Sequence, residues 1–237
     1  MLPRLNSNDI RSIVVNREVN HAAQELGAVV LGALTTASYS DTKTKKNTGG
    51  GWFWSSPNTE HSSCASDYRP EIALKYPVET GRCWRFAGPV GHLGIQLSAP
   101  VRLDYITVAH IPLDLAFNYT IAPQDFQVWG VADNSARYSD DNIEELCAKE
   151  HSPCDYLRNY IVGTSERARL ELSNKRVVNL GQFHYNISNI DVYQRFPVTY
   201  PKQFEDVRFH RVIFAFSSNW GSDDYTCIYN VGVYGQR

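Results

Sequence analysis

The sequence predicts a mainly β protein, an antiparallel β-sandwich, and three observations carry that prediction. Short runs of β-forming residues recur between turn signals rather than alternating with helical stretches, which suits packed antiparallel sheets and not βαβ units. A chain of 237 residues with 43% hydrophobic and 20% charged side chains can bury one sizeable core but is short for two. Its formal net charge of -2 excludes a generally basic nucleic-acid coat, so no nucleic-acid partner is expected.

Taken in order, residues 8–31 place Ile10, Ile13, Val14, Ala22, Ala23, Leu26 and Val30 mostly three and four apart behind Asn8 as a cap. This spacing predicts an amphipathic helix and hence an N-terminal helical segment over 1–31, its stripe packed on the domain or facing a partner helix. The sandwich is expected over 32–237. Within it, residues 40–57 join a basic polar stretch to three glycines and then to Trp52, Phe53 and Trp54. That order reads either as a flap with an aromatic tip that docks on a partner or as rings plugging the domain's own core. From Gly91 to Val131 the residues alternate like strands, with turns at Ala99-Pro100 and Ile111-Pro112. Further strands are expected over Val207–Phe216 and Tyr225–Tyr234. Residues 132–178 read as a partly helical, solvated insertion, with sixteen charged residues between Ala132 and Arg176. Cys147 and Cys154 stand seven apart there, close enough for a local disulfide, the alternative being two free thiols.

The chain carries no nucleophile elbow, HExxH, phosphate-cradling loop or dinucleotide fingerprint, and its seven histidines are scattered, so no enzyme activity is expected. Five cysteines without a CxxC pair point away from a zinc site and toward disulfides. Sequons at Asn118 and Asn186 agree with an oxidising lumen, used or not. No run approaches the roughly 18 to 20 apolar residues needed to span a bilayer, and the first residues lack an apolar targeting core. An anchor, if the protein is membrane-attached, is therefore expected outside this chain.

Six segments in order, GRCWRF at 81–86, GHLGIQLS at 91–98, AHIP at 109–112, APQDFQVWG at 122–130, LGQFHY at 180–185 and SSNWGSDDYTCIYNVGVYG at 217–235, resemble the SUN domain family. The resemblance covers most of the chain outside the flap and the insertion. It implies the lumenal half of the LINC complex, in which SUN proteins of the inner nuclear membrane grip the C-terminal tails of outer-membrane KASH proteins and tether nuclei to the cytoskeleton. The resemblance also implies a disulfide between Cys83 and Cys227, and Cys64 is then expected to stay unpaired. It implies further that His110, Tyr225 and Tyr229 line the pocket for the partner's terminal carboxylate. A histidine N–H and two phenolic hydroxyls are fitting donors for such a group. The flap at 40–57 falls where the family has its KASH lid, so Trp52, Phe53 and Trp54 are implied contacts to a peptide held by strand addition.

Several departures from the family pattern qualify this expectation. The stretch 72–82 matches the family's cation loop poorly and brings in Lys75 and Arg82, so no cofactor is expected and a monovalent cation there is doubtful. Residues 1–63 hold no cysteine, which excludes the covalent partner link made before the lid in animal relatives. Ile121 replaces a serine beside the pocket. Family members trimerise through an upstream coiled coil, which leaves a homotrimer or a monomer open for this chain. Two other readings stand beside the KASH receptor: a glycan-binding galactose-binding-like module, and a SUN-like quality-control protein of the endoplasmic reticulum.

Overall fold

The computed structural model describes residues 18–40, 68–132, 166–172, 175–199 and 207–237. Nine strands dominate them: β1 (Val29–Val30), β2 (Trp84–Ala87), β3 (Gly91–Ala109), β4 (Asp125–Ala132), β5 (Arg176–His184), β6 (Tyr193–Pro197), β7 (Phe209–Phe216), β8 (Tyr225–Ile228) and β9 (Asn230–Gln236), with one short helix, α1 (Glu166–Leu172). All pairings are antiparallel, as the alternation predicts.

The long strand β3 organises the sandwich. Its first part pairs with β1 and β7 in the order β1-β3-β7-β4-β5, and its second part, from Arg102, pairs with β9 and β6. The predicted turn at Ala99-Pro100 is instead a register shift between Gln96 and Val101 within one continuous strand. Pro100 is tolerated because the ladder to β7 is interrupted there, so its missing N–H costs no strand bond. Residues from both parts of β3, among them Leu93, Ile95, Ile106 and Val108, meet Phe126, Val128, Phe214, Phe216, Val231 and Val233 in one buried core.

The helix predicted over 8–31 is not formed where the chain is described. Residues 18–31 hold only a 3-10 turn at Gln24–Leu26 and the strand β1, while residues 8–17 lie outside the described residues. The sheet edge has captured this segment: His21 N–H donates to the Val233 carbonyl, Asn20 Oδ1 accepts from Val233 N–H, and Val29 and Val30 pair with Gln96 and Ile95. Long-range pairing of β-branched residues outweighs a local helical period.

The expected insertion also ends earlier and packs more closely than its charge suggests. Strand β5 begins at Arg176 and pairs along all of β4. Helix α1 lies against the turn Gly32–Leu34, and Ala168 is fully buried in a second cluster with Leu34, Trp129, Val131, Ile213 and Ala215. Glu171 ties this helix to the sheet through Arg211 at 3.1 Å. The same cover explains Gly94, where a Cβ would stand 2.5 Å from the Leu34 Cβ. Ala168→Leu, which adds bulk where no space remains, is expected to destabilise the protein by about 1–3 kcal/mol. An unchanged melting temperature would show that α1 is not part of the packed fold.

Candidate functional site

Strands β2 and β8 form a separate two-stranded ladder in which Arg85 stands opposite Cys227 and Trp84 opposite Ile228. Period two therefore puts Cys83 and Arg85 of one strand on the same face as Tyr225, Cys227 and Tyr229 of the other. On that face Cys83 and Cys227 are joined in a disulfide, with 5.6 Å between their Cα atoms. The expected final strand is interrupted at Tyr229, between β8 and β9.

The described structure brings His110, Tyr225 and Tyr229 into one neighbourhood. His110 follows directly on β3, and its ring meets the Tyr229 ring edge-on at 5.1 Å. Ile111, Ile121, Tyr229 and the disulfide share a small buried cluster against which Val78, Ala116 and Tyr225 pack. Ile121 thus contributes an apolar wall.

Hydrogen bonding defines what each group can still do. His110 is 1% exposed, and its Nδ1–H donates to the Ile111 carbonyl at 2.9 Å. Its Nε2 is buried and has no hydrogen-bond partner among the described residues. Burial pushes its pKa down to about 4, so the ring is neutral near pH 7. The Tyr229 oxygen accepts the Gly81 N–H at 3.4 Å, and burial raises its pKa, so the hydroxyl keeps its proton for donation. Gly81 turns the chain toward it with φ +83°, a conformation that favours glycine.

Three further residues belong to this site that sequence reasoning passed over. The guanidinium of Arg85 lies 3.7 Å from the centre of the Tyr68 ring and 4.9 Å from that of Tyr225, and Tyr39 stacks on Tyr225 at 5.3 Å. Arg85 was findable: it stands two residues after Cys83, so any bond from Cys83 to Cys227 had to carry it to the face of Tyr225 and Tyr229. Tyr39 and Tyr68 sit in irregular segments, where no period predicts a neighbour.

Tyr39 N–H donates to the Arg85 carbonyl at 2.8 Å, and Ser38 bridges to Phe86, so the chain enters the flap directly from the edge of β2. Residues 41–57, with Trp52, Phe53 and Trp54, lie outside the described residues, as do Cys64, Cys147 and Cys154.

Below the site, Ile72, Lys75, Pro77, Val78, Glu79 and Arg82 of the stretch 72–82 line a small hollow together with Tyr229. Three of the carbonyls in this stretch have donors: Ile72 accepts from Lys75 N–H at 3.1 Å, Lys75 from Asn230 Nδ2 at 2.8 Å and Glu79 from Arg82 N–H at 3.1 Å. Arg82 also pairs with the Glu79 carboxylate. A carbonyl cage for a positive ion does not fit well with carbonyls so engaged and two cationic side chains on the rim.

Elsewhere, His184 Nδ1 and Ser218 Oγ both bond the Asp125 carboxylate, at 2.8 Å each, which holds Asp125 below the usual carboxylate range. The carboxylate sits between serine and histidine, so this trio does not present a serine to an imidazole base. Among the described residues no group of three or more His, Cys, Asp or Glu could hold a metal ion, and no helix is long and apolar enough to cross a membrane.

Comparison with known proteins agrees with this architecture. The profile described as Sad1 / UNC-like C-terminal matches residues 64–153 and 156–237. Human SUN domain-containing protein 5 is 30% identical over 169 residues, covering 70% of this chain and 33% of that protein. Mouse SUN domain-containing protein 2 is 26% identical over 220 residues, 92% of this chain and 23% of its own length. SUN domain-containing protein 3 of Bos taurus is 27% identical over 221 residues, 91% and 46% respectively. The chain thus spans less than half the length of each of these relatives. Among solved structures, the family 32 carbohydrate-binding module from Streptococcus pneumoniae EndoD covers 92% of this chain and 100% of its own at 12% identity, with a TM-score of 0.46, a likeness too slight to bear on function. With a family profile over most of its length and a disulfide-closed sandwich of nine described strands, this chain belongs to the Sad1 / UNC-like C-terminal family, the SUN domain family.

Proposed function

We propose that this domain is a non-enzymatic receptor for the C-terminal tail of a KASH-type protein, acting in the perinuclear space as the inner half of a bridge between nucleus and cytoskeleton. The observation that carries this reading is the convergence of Tyr225, Tyr229 and His110 beside the Cys83–Cys227 bond, in a chain of the SUN family. The disulfide supports an oxidising compartment and hence the lumenal side of the nuclear envelope.

The flap over 40–57 completes the receptor in this proposal. Its root runs along β2 with Tyr39 on Tyr225, so a tail laid beside it reaches the site without a long detour. Backbone pairing would then hold the peptide, and Trp52, Phe53 and Trp54 would supply apolar contact. We further propose that the stretch 72–82 keeps its shape without a bound ion, because protein donors engage the carbonyls of Ile72, Lys75 and Glu79.

Tyr229→Phe tests the reading most sharply, since it removes one hydroxyl and keeps the ring. The loss of one hydrogen bond to a charged group is about 1.5–3 kcal/mol, or roughly ten-fold or more in Kd. Gly81 is exposed, so water replaces the bond from its N–H and the melting temperature should hold. Fluorescence polarisation with lumenal KASH tails should show this weakening. Equal binding of free-acid and amidated tails would remove the carboxylate pocket from the account, and retention on glycan arrays without tail binding would support the glycan-binding module instead.

A further inference from the structure

Arg85 is the cation of this site, and no role follows for it from the family resemblance. Its side chain is half-buried between the rings of Tyr68 and Tyr225. Its Nε is buried without a hydrogen-bond partner, and no acidic side chain pairs with it among the described residues. A guanidinium is always charged at physiological pH, and rings lying against its face leave its N–H groups as the atoms that can bond a planar anion. A half-buried charge with no acidic partner among the described residues suits a ligand that brings the opposite charge.

His110 is poorly placed to supply that charge. With Nδ1–H committed to the Ile111 carbonyl, the neutral ring presents a bare lone pair at Nε2, an acceptor and not a donor. The groups facing it are Tyr185, at 6.4 Å between ring centres, and Tyr229, neither of which is acidic near neutral pH. Around Arg85 stand Tyr68 and Tyr225, with Tyr229 within electrostatic reach. Burial pushes His110 down to about 4, so its ring stays neutral between about pH 5 and pH 8.

We propose that Arg85, rather than His110, supplies the charge that anchors the ligand's carboxylate, and that His110 Nε2 accepts a hydrogen bond from a ligand N–H. This rests on the reading of the site as a receptor for a free peptide carboxyl terminus. The two tyrosine hydroxyls complete the anchor as neutral donors, and the class of ligand is a peptide whose C-terminus is unblocked.

The test compares free-acid and amidated lumenal KASH tails by fluorescence polarisation on the whole chain, from about pH 5 to about pH 8. Wild type is expected to prefer the free acid by about ten-fold or more, with a preference that is flat across the range. Arg85→Gln should erase the preference without lowering the melting temperature, and Arg85→Lys should restore part of it. A wild-type preference that fades as pH rises, and that survives in Arg85→Gln, would place the charge on His110 and overturn the inference while sparing the receptor reading. Wild type that binds neither tail would overturn the receptor reading itself, and the inference with it.

Discussion

Replacing Cys83 or Cys227 with alanine is expected to destabilise the domain by about 5 kcal/mol, the largest single effect foreseen. The bond joins residues 144 apart in sequence, and the chain-entropy model gives about that value for a loop of such length. Most of a small domain's net stability, commonly about 5–15 kcal/mol, would be gone. The loss is also local in its consequences. The ladder of β2 with β8 has only two strands, and it is held to the larger sheet by packing, with Trp84, Phe86 and Ile228 buried in the main core, rather than by strand pairing. Reduction should therefore loosen the face that holds Arg85 beside Tyr225 and weaken tail binding together with overall stability. Urea unfolding of oxidised and reduced protein measures the first effect, and tail binding in dithiothreitol the second. Coincident unfolding midpoints would show that the bond adds nothing the packing does not already provide.

Phe126→Ala should cost about 3–5 kcal/mol, the usual range for truncating a buried aromatic ring. Phe126 has no exposed surface and stands on β4, between β5 and β7. Its ring centre lies 5.5 Å from that of Phe183, 5.3 Å from Phe196 and 5.7 Å from Phe216, so its removal opens a cavity lined by three other rings from three strands. For a domain of this size the melting temperature should fall by about 10 °C. Phe117→Ala makes the internal control: that ring is 100% exposed, and its loss should change stability by less than about 0.5 kcal/mol. Similar melting temperatures for the two variants would contradict the core as described.

The antiparallel pairing and much of the strand content were legible in the residue pattern, because a side chain's face in a strand follows from a period of two. The motif at Cys83 and the motif at Cys227 resembled a known family closely enough to imply their bond, which the structure contains. Local signals misled where a distant partner outbid them. Residues 18–31 carry a helical period, yet Asn20, His21 and Val29 are claimed by the edges of β9 and β3. Pro100 marks a turn in isolation, but tertiary pairing on both sides carries β3 straight past it. Strands β2, β5 and β6 were missed as elements because their burial depends on neighbours far along the chain.

What the sequence by itself determined, then, is the chemistry available: a family pattern, two cysteines that seek each other, two tyrosines and a histidine with polar heads. Tertiary structure alone decided how those groups are used. It turned Nδ1 of His110 onto the Ile111 carbonyl, buried the ring so that it stays neutral, and laid Arg85 between Tyr68 and Tyr225 with no acidic partner among the described residues. The physical reason is that protonation and hydrogen-bond direction depend on desolvation and on the nearest few atoms, and those atoms come from segments separated by up to nearly two hundred residues of chain, such as Tyr39 and Tyr225.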